Sequence, residues 1–394
     1  MRELILKNKE DQRLTHGHLW IFSNEVDSPL GDFAEGEEVL VKNAQGHCLG
    51  TACVNPHALI CARLHSRRQA VHLDAELLHK RLRTALALRT QLFSKPWYRL
   101  CHGEGDLLPG LVIDRYDRHL TIQIITKAME LRKQELFSVL QELLQPQSLL
   151  LANDNPMRAL EGLSLEKECF GDVPSELEVP ENDCLFTVPC QTGQKTGWFY
   201  DQRDNRQKVA SFARDLDVLD AFCYVGGFGV GCAKHGCRSV TFLDASSQAL
   251  DYARRNLEHN APACAETACY LEGSAQKLLA ELAAEGRRFD LVSIDPPAFI
   301  KRRKDAGQGI SAYRKLNQLA ASLLKPGGIL VSSSCSFHLK EETLLDCIAR
   351  SAHKLGRACQ LLAKGQQAAD HPELLGMPET RYLKCCIARL LPGD

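Results

Sequence analysis

Residues 217–244 read D-V-L-D-A-F-C-Y-V-G-G-F-G-V-G-C-A-K-H-G-C-R-S-V-T-F-L-D, and the fold turns on how this stretch is read. Val218 and Leu219 make a short apolar strand, Gly226, Gly227 and Gly229 a tight turn, residues 230–235 the start of a helix, and residues 239–243 a second apolar strand that ends in Asp244. Together they form one β-α-β unit. Glycines at such a turn let the backbone approach a ligand, and an acidic residue closing the second strand can accept hydrogen bonds from ribose hydroxyls. The glycines do not spell G-x-G-x-x-G, and Asp220 stands just before the turn, where it would repel a pyrophosphate. A nucleoside cofactor bearing positive charge fits better, which selects S-adenosylmethionine. A glycine turn by itself is as readily an ordinary strand-helix connection, so the remaining sequence has to decide.

Beyond Asp244 the pattern continues as alternating helix and strand: 247–260, 274–285, 289–294, 311–324 and 328–333, with a last strand in the tail at 381–390. This predicts a doubly wound parallel α/β sheet of Rossmann-like type, with ligands at the carboxyl ends of its strands. Working back from the turn, residues 191–206 read Q-T-G-Q-K-T-G-W-F-Y-D-Q-R-D-N-R, a polar, glycine-spaced run that suggests a hairpin around Gln194-Lys195-Thr196 before a helix to about Phe212. Further back, residues 71–188 carry helical spacing at 73–92 and 129–144, with strands at 119–126, 149–152 and around 168–188, a mixed α+β domain. Its acidic residues Glu104, Asp106 and Asp114 are explained at least as well by turn formation as by catalysis. Residues 1–70 alternate short strands (39–42, 47–54, 59–64) with turns, a small β-barrel or sandwich. The predicted domains are therefore 1–70, 71–188 and 189–394.

With 394 residues, 44% hydrophobic and 25% charged, the chain is long enough for two or three globular domains. No window has the length of a membrane span and the N-terminus lacks a signal-like apolar run, which places the protein in the cytoplasm. Its 17 cysteines form no C-x-x-C pair, so neither a zinc site nor a disulfide framework is expected. A net charge of -1 argues against coating nucleic acid by bulk charge, yet leaves local basic patches at Arg67-Arg68 and Lys301-Arg302-Arg303-Lys304.

Two strand ends carry the chemistry. Residues 289–294 run into Asp295-Pro296-Pro297-Ala298-Phe299, and residues 329–333 into Ser334-Cys335-Ser336. Consecutive prolines fix the backbone and aim Asp295 at a bound base. That motif also suits methylation of exocyclic amino groups, which needs no cysteine. Carbon 5 of a pyrimidine is a poor nucleophile, and its methylation requires a thiolate to add first at carbon 6. Cys335 at a strand end is placed to supply one, the other reading being a buried structural thiol. The base that later removes the carbon-5 proton is open among His371, His338 and Asp370. If the loop after the prolines lies at the mouth of the crevice, Lys301 to Lys304 is placed to hold phosphates of a polynucleotide.

Taken together, G-H-L-W-I-F-S-N-E, N-P-H-A-L-I-C-A-R-L, G-E-G-D-L-L-P-G-L-V-I-D-R-Y, the 191–206 run, Y-V-G-G-F, D-P-P-A-F, S-C-S and A-A-D-H-P resemble the bacterial large-subunit ribosomal RNA cytosine-C5 methyltransferases, the RlmI-like family. The resemblance implies an N-terminal PUA domain for RNA, a central α+β domain and a class I methyltransferase domain acting on 23S ribosomal RNA, with Cys335 as nucleophile and a homodimer allowed. Cofactor contacts are then expected from Lys195, Gly197, Gln202, Arg203, Asp220, Phe222, Gly226, Gly227, Asp244, Ser274, Asp295 and Pro296, and no metal is expected. Where the family often has lysine after D-P-P this chain has Ala298, and where it has an acidic residue near the end of the strand after Asp244 this chain has Gly273-Ser274. Two other readings remain open: an amino-group methyltransferase using D-P-P-A-F, and a non-catalytic RNA-binding assembly factor.

Overall fold

The computed structural model describes residues 1–193 and 196–393. Backbone contacts divide the chain into two compact units. The first comprises Met1–Leu177, Pro189–Tyr200 and Ala369–Thr380, and the second Glu178–Val188, Asp201–Ala368 and Arg381–Asp394.

The first unit contains two five-stranded sheets. One takes β1 (Arg2–Ile5), β2 (Trp20–Phe22), β3 (Glu37–Lys42), β4 (Cys48–Val54) and β5 (Ile60–Ser66) in the order β1-β3-β4-β5-β2. Alternate residues such as Leu4, Ile21, Val39, Val41, Ala52 and Leu64 point into one apolar core, as the period of two demands. The other sheet takes β6 (Trp97–His102), β7 (Leu111–Tyr116), β8 (His119–Ile124), β9 (Ser148–Asn153) and β10 (Glu166–Gly171) in the order β10-β9-β8-β7-β6. Helices Ala75–Leu92 and Lys133–Leu144 contribute Leu78, Leu82, Leu136 and Leu140 to its core. The longer helix begins at Asp74, whose side chain accepts from the Leu77 amide at 3.0 Å, an N-cap that satisfies one orphan donor.

The second unit is the α/β layer that the glycine turn predicts. After the hairpin β11 (Glu176–Glu181) and β12 (Cys184–Pro189) come β13 (Asp217–Ala221), β14 (Ser239–Asp244), β15 (Cys269–Glu272), β16 (Phe289–Ile294), β17 (Leu324–Ser334), β18 (Cys359–Gly365) and β19 (Lys384–Leu390). The last seven form one sheet in the order β15-β14-β13-β16-β17-β19-β18. The strands from β13 to β17 pair in parallel, whereas β19 runs antiparallel to both β17 and β18. The sheet is therefore mixed at one side rather than parallel throughout. Central strands read as near-continuous apolar runs because helices cover both faces. Leu219, Val292, Ile294 and Leu330 are fully buried with Tyr313 and Leu316 of helix Ala306–Ser322.

Candidate active site

The chain reverses between β13 and helix Gly227–Lys234 through three left-handed residues, Phe222 (φ 63°), Tyr224 (φ 51°) and Gly226 (φ 88°). Only the last is glycine. For the other two the conformation costs about 1 kcal/mol or more each and persists only where neighbours enforce it. Here the enforcement comes from the end of β14. The Leu243 carbonyl accepts from the Phe222 and Cys223 amides at 2.8 and 3.1 Å, and the Asp244 carboxylate accepts from the Tyr224 amide at 2.9 Å. Asp244 also accepts from the Ser246 amide at 3.0 Å. Gly229 serves packing: a Cβ there would lie 2.3 Å from the buried Phe242 ring.

Asp220, the last but one residue of β13, is only 1% exposed. One oxygen accepts from the Gly229 amide at 2.8 Å, and the other has no hydrogen-bond partner. Burial, with Asp295 and Asp244 nearby, pushes its carboxyl up to about 7. A buried carboxylate with an open oxygen beside a strained turn is a fitting receptor for a cationic nucleoside cofactor, because the ligand's charge replaces the lost solvation. Gly273 and Ser274 follow β15, Ser274 being exposed. That strand ends in Glu272, which pairs in register with Asp244, so an acidic residue does stand at the end of the strand after Asp244. The sequence reading, which saw Gly273-Ser274 there, lacked the four-residue edge strand needed to place it.

Asp295 follows β16, and its carboxylate accepts from Gln202 Nε2 at 2.9 Å. Gln202 is buried, and its carbonyl accepts from Asn205 at 2.6 Å. Arg203 is directed to Glu181 at 3.4 Å, the same carboxylate that Arg206 holds at 2.6 Å. Pro296 is buried and Pro297 exposed.

The D-P-P loop and the S-C-S segment are tied to each other. Ile300 donates its amide to Ser336 Oγ at 3.2 Å. Tyr313 places its hydroxyl 3.0 Å from Ser336 Oγ and accepts from the Ser334 hydroxyl at 2.8 Å. Cys335 lies between these two anchored serines and is half-buried, while most of the other cysteines are buried. Beside it runs β19, where Lys384 is 6% exposed and donates to the carbonyls of Ser336 at 2.6 Å and Tyr382 at 2.7 Å. Sequence reasoning passed over Lys384 and Tyr313. The signal for the lysine was a charge set between Leu383 and the Cys385-Cys386 pair, in the apolar middle of the tail R-Y-L-K-C-C-I-A-R-L. Lys301 to Lys304 are exposed in the loop leading to helix Ala306–Ser322.

The remaining candidates belong to the first unit. Asp106 pairs with Arg89 at 2.6 Å, Asp114 pairs with Arg99, and Glu104 accepts from the Trp20 indole at 2.8 Å. Asp370 accepts from the Arg99 amide at 2.9 Å and lies 2.9 Å from His371 Nδ1. His338, by contrast, is exposed in the second unit after the S-C-S segment. The Thr196 carbonyl accepts from the Tyr116 hydroxyl at 2.9 Å, and Gly197 takes a φ of 108°. Lys195, with the hairpin predicted around it, lies outside the described residues. Among the described residues no helix is long and apolar enough to cross a membrane, and no cluster of three His, Cys, Asp or Glu is placed to hold a metal.

Known proteins agree with this architecture. Residues 4–67 match the PUA-like domain, and residues 99–372 match the S-adenosylmethionine-dependent methyltransferase family. Ribosomal RNA large subunit methyltransferase I of Tolumonas auensis is 35% identical over 98% of each chain. The protein of that name from Yersinia pseudotuberculosis is 34% identical over 98% of this chain and 99% of its own. Among solved structures, a proposed S-adenosylmethionine-dependent methyltransferase from Streptococcus mutans superposes with a TM-score of 0.84 at 19% identity, covering 99% of this chain and 100% of its own. A second proposed methyltransferase, complexed with S-adenosylhomocysteine, gives 0.85 at 18% identity, with coverage of 99% and 100%. At these identities the structures establish the fold, and the sequence relatives establish the lineage: the chain belongs to the ribosomal RNA large subunit methyltransferase I family of S-adenosylmethionine-dependent methyltransferases.

Proposed function

We propose that this chain methylates carbon 5 of a cytosine in 23S ribosomal RNA through a transient bond between the base and Cys335. The observation that carries the reading is the stitching of S-C-S to the D-P-P loop by the Ile300–Ser336 hydrogen bond, which joins the segment that carries a half-buried thiol to the loop that begins at Asp295. When bound, S-adenosylmethionine supplies an electrophilic methyl group. Asp244 is the residue for its ribose hydroxyls and Asp220 for its positive charge, with Phe222, Gly226, Gly227, Ser274 and Pro296 at the same strand ends. Of the polar run before the sheet, Gln202 acts by orienting Asp295, and Lys195, Gly197 and Arg203 are the other proposed contacts.

Cys335 adds as thiolate to carbon 6 of the cytosine, and the ring's electrons move to carbon 5, which becomes nucleophilic. Asp295, held by Gln202, orients the base through its polar edge. After methylation, loss of the carbon-5 proton to a base returns the electron pair, breaks the carbon-sulfur bond and releases the thiolate. Lys301, Arg302, Arg303 and Lys304 hold backbone phosphates, and the PUA-like domain adds RNA contacts. The names of the relatives support ribosomal RNA as substrate.

The test uses tritiated S-adenosylmethionine and ribosomal RNA from a strain lacking the gene, with wild type and Cys335→Ala compared. Label in 5-methylcytidine with the wild type alone is the expected result. Label in another nucleoside, or undiminished label with Cys335→Ala, would remove the covalent route and favour amino-group methylation.

A further inference from the structure

We infer that Lys384 is a positioning residue that holds Cys335 as a thiolate in the free enzyme. Antiparallel pairing of β19 with β17 sets Lys384 opposite Ser334, the residue before Cys335. Its ammonium then reaches past the cysteine to the carbonyl of Ser336, the residue after it. The lysine thus brackets the nucleophile's backbone from a buried position. Both of its hydrogen bonds go to neutral carbonyls. A buried ammonium without an anion is costly, so the site is completed by a negative charge.

Cys335, the residue bracketed between Ser334 and Ser336, is the group for that charge, and the electrostatics agree with the geometry. Burial lowers the Lys384 ammonium to about 8, and the group that most strongly opposes this is Cys335. Arg381 works against the ammonium, Cys386 and Glu341 favour it more weakly, and Glu341 is already paired with Lys364. A thiol beside a fixed cation ionises below its ordinary value near 8.5. On ionisation the thiol proton passes to solvent. The thiolate's electron pair later forms the bond to carbon 6 and is returned when that bond breaks, and no proton is exchanged with Lys384 in either step.

The inference rests on the reading of Cys335 as nucleophile only for its catalytic consequence; the ion pair itself can be measured without RNA. Site-resolved alkylation with iodoacetamide across pH 6 to 10, read by mass spectrometry of each cysteine peptide, gives the titration midpoint of Cys335. The exposed Cys48, Cys169 and Cys269 serve as ordinary thiols in the same tube. The Cys335 midpoint is expected about one pH unit or more below theirs. Lys384→Gln, which keeps a donor without the charge, should raise that midpoint by about one unit, and Lys384→Arg should restore it. Methyl transfer at pH 7 by Lys384→Gln should fall about tenfold in kcat with KM for the cofactor unchanged, and recover toward pH 9, which a packing defect would not do.

A wild-type Cys335 midpoint equal to those of the exposed thiols overturns the inference, and needs no variant that folds. A low midpoint that rises in Lys384→Gln, found together with full methylation by Cys335→Ala, upholds the ion pair and overturns the nucleophile reading instead.

Discussion

Replacing Asp220 by asparagine should make the free protein more stable at pH 8 while removing its affinity for S-adenosylmethionine. The carboxyl group is fully buried, with one oxygen on the Gly229 amide and the other unpartnered. A rise from the ordinary 3.8 to about 7, at about 1.4 kcal/mol for each tenfold, means that ionised Asp220 costs the folded state roughly 4 kcal/mol above pH 7. This is an upper figure, since local relaxation and water entry reduce burial penalties. The sign follows from proton binding. Between pH 3.8 and about 7 the folded protein holds a proton that the unfolded chain has lost, so stability falls as pH rises through that window and levels above it. Asparagine keeps the acceptor for Gly229 and carries no charge to desolvate. Ser293, its register neighbour on β16, likewise has a buried hydroxyl without a partner. Thermal melts should show a gain of about 5–10 °C over wild type at pH 8 and roughly a third of that at pH 5. Added cofactor should raise the wild-type melt at pH 8 and leave that of Asp220→Asn unmoved. An equal gain at both pH values would refute the buried-charge argument. A variant that binds the cofactor like wild type would refute the role given to the charge.

Two further outcomes follow from the same geometry. Gly229→Ala brings a methyl group to within 2.3 Å of the Phe242 ring, which is buried and stacked on Tyr270, so the ring cannot yield; urea unfolding should show a loss of about 1–3 kcal/mol, and an unchanged midpoint would mean the helix can slide. Exchanging Lys301, Arg302, Arg303 and Lys304 for alanine should weaken RNA binding and flatten its salt dependence by up to about 0.7 in log-log slope per lost phosphate contact; an unaltered slope in filter binding at several salt concentrations would take the loop out of the RNA interface.

Much of the second unit was legible in the chain because its central strands are buried on both faces and read as apolar runs. The β-α-β stretch, β16, β17 and the tail strand all emerged at or near their observed positions. What escaped was of three kinds. β15 and β18 are sheet edges, short or carrying exposed residues such as Leu361 and Leu362, and so lack that signature. Helix Glu341–Lys354 buries Leu344, Cys347, Ile348, Ser351 and Ala352, a clear helical period that was present in the sequence and went unread. The left-handed turn at Phe222 and Tyr224 had no local signal, because hydrogen bonds from a distant strand end impose it. The candidate site divides the same way. Residues at strand ends could be placed by topology, whereas Lys384 and Tyr313 act across the sheet and needed β17, β19 and helix Ala306–Ser322 to be assembled.

The hydrogen bonds that join Ile300, Tyr313, Ser334 and Ser336 make one mechanical part of two loops that chemistry assigns to different tasks. Under the proposed function, a shift of the loop that recognises the base would carry the segment of the thiol with it. The two loops would then be kept or altered together, as one part rather than two.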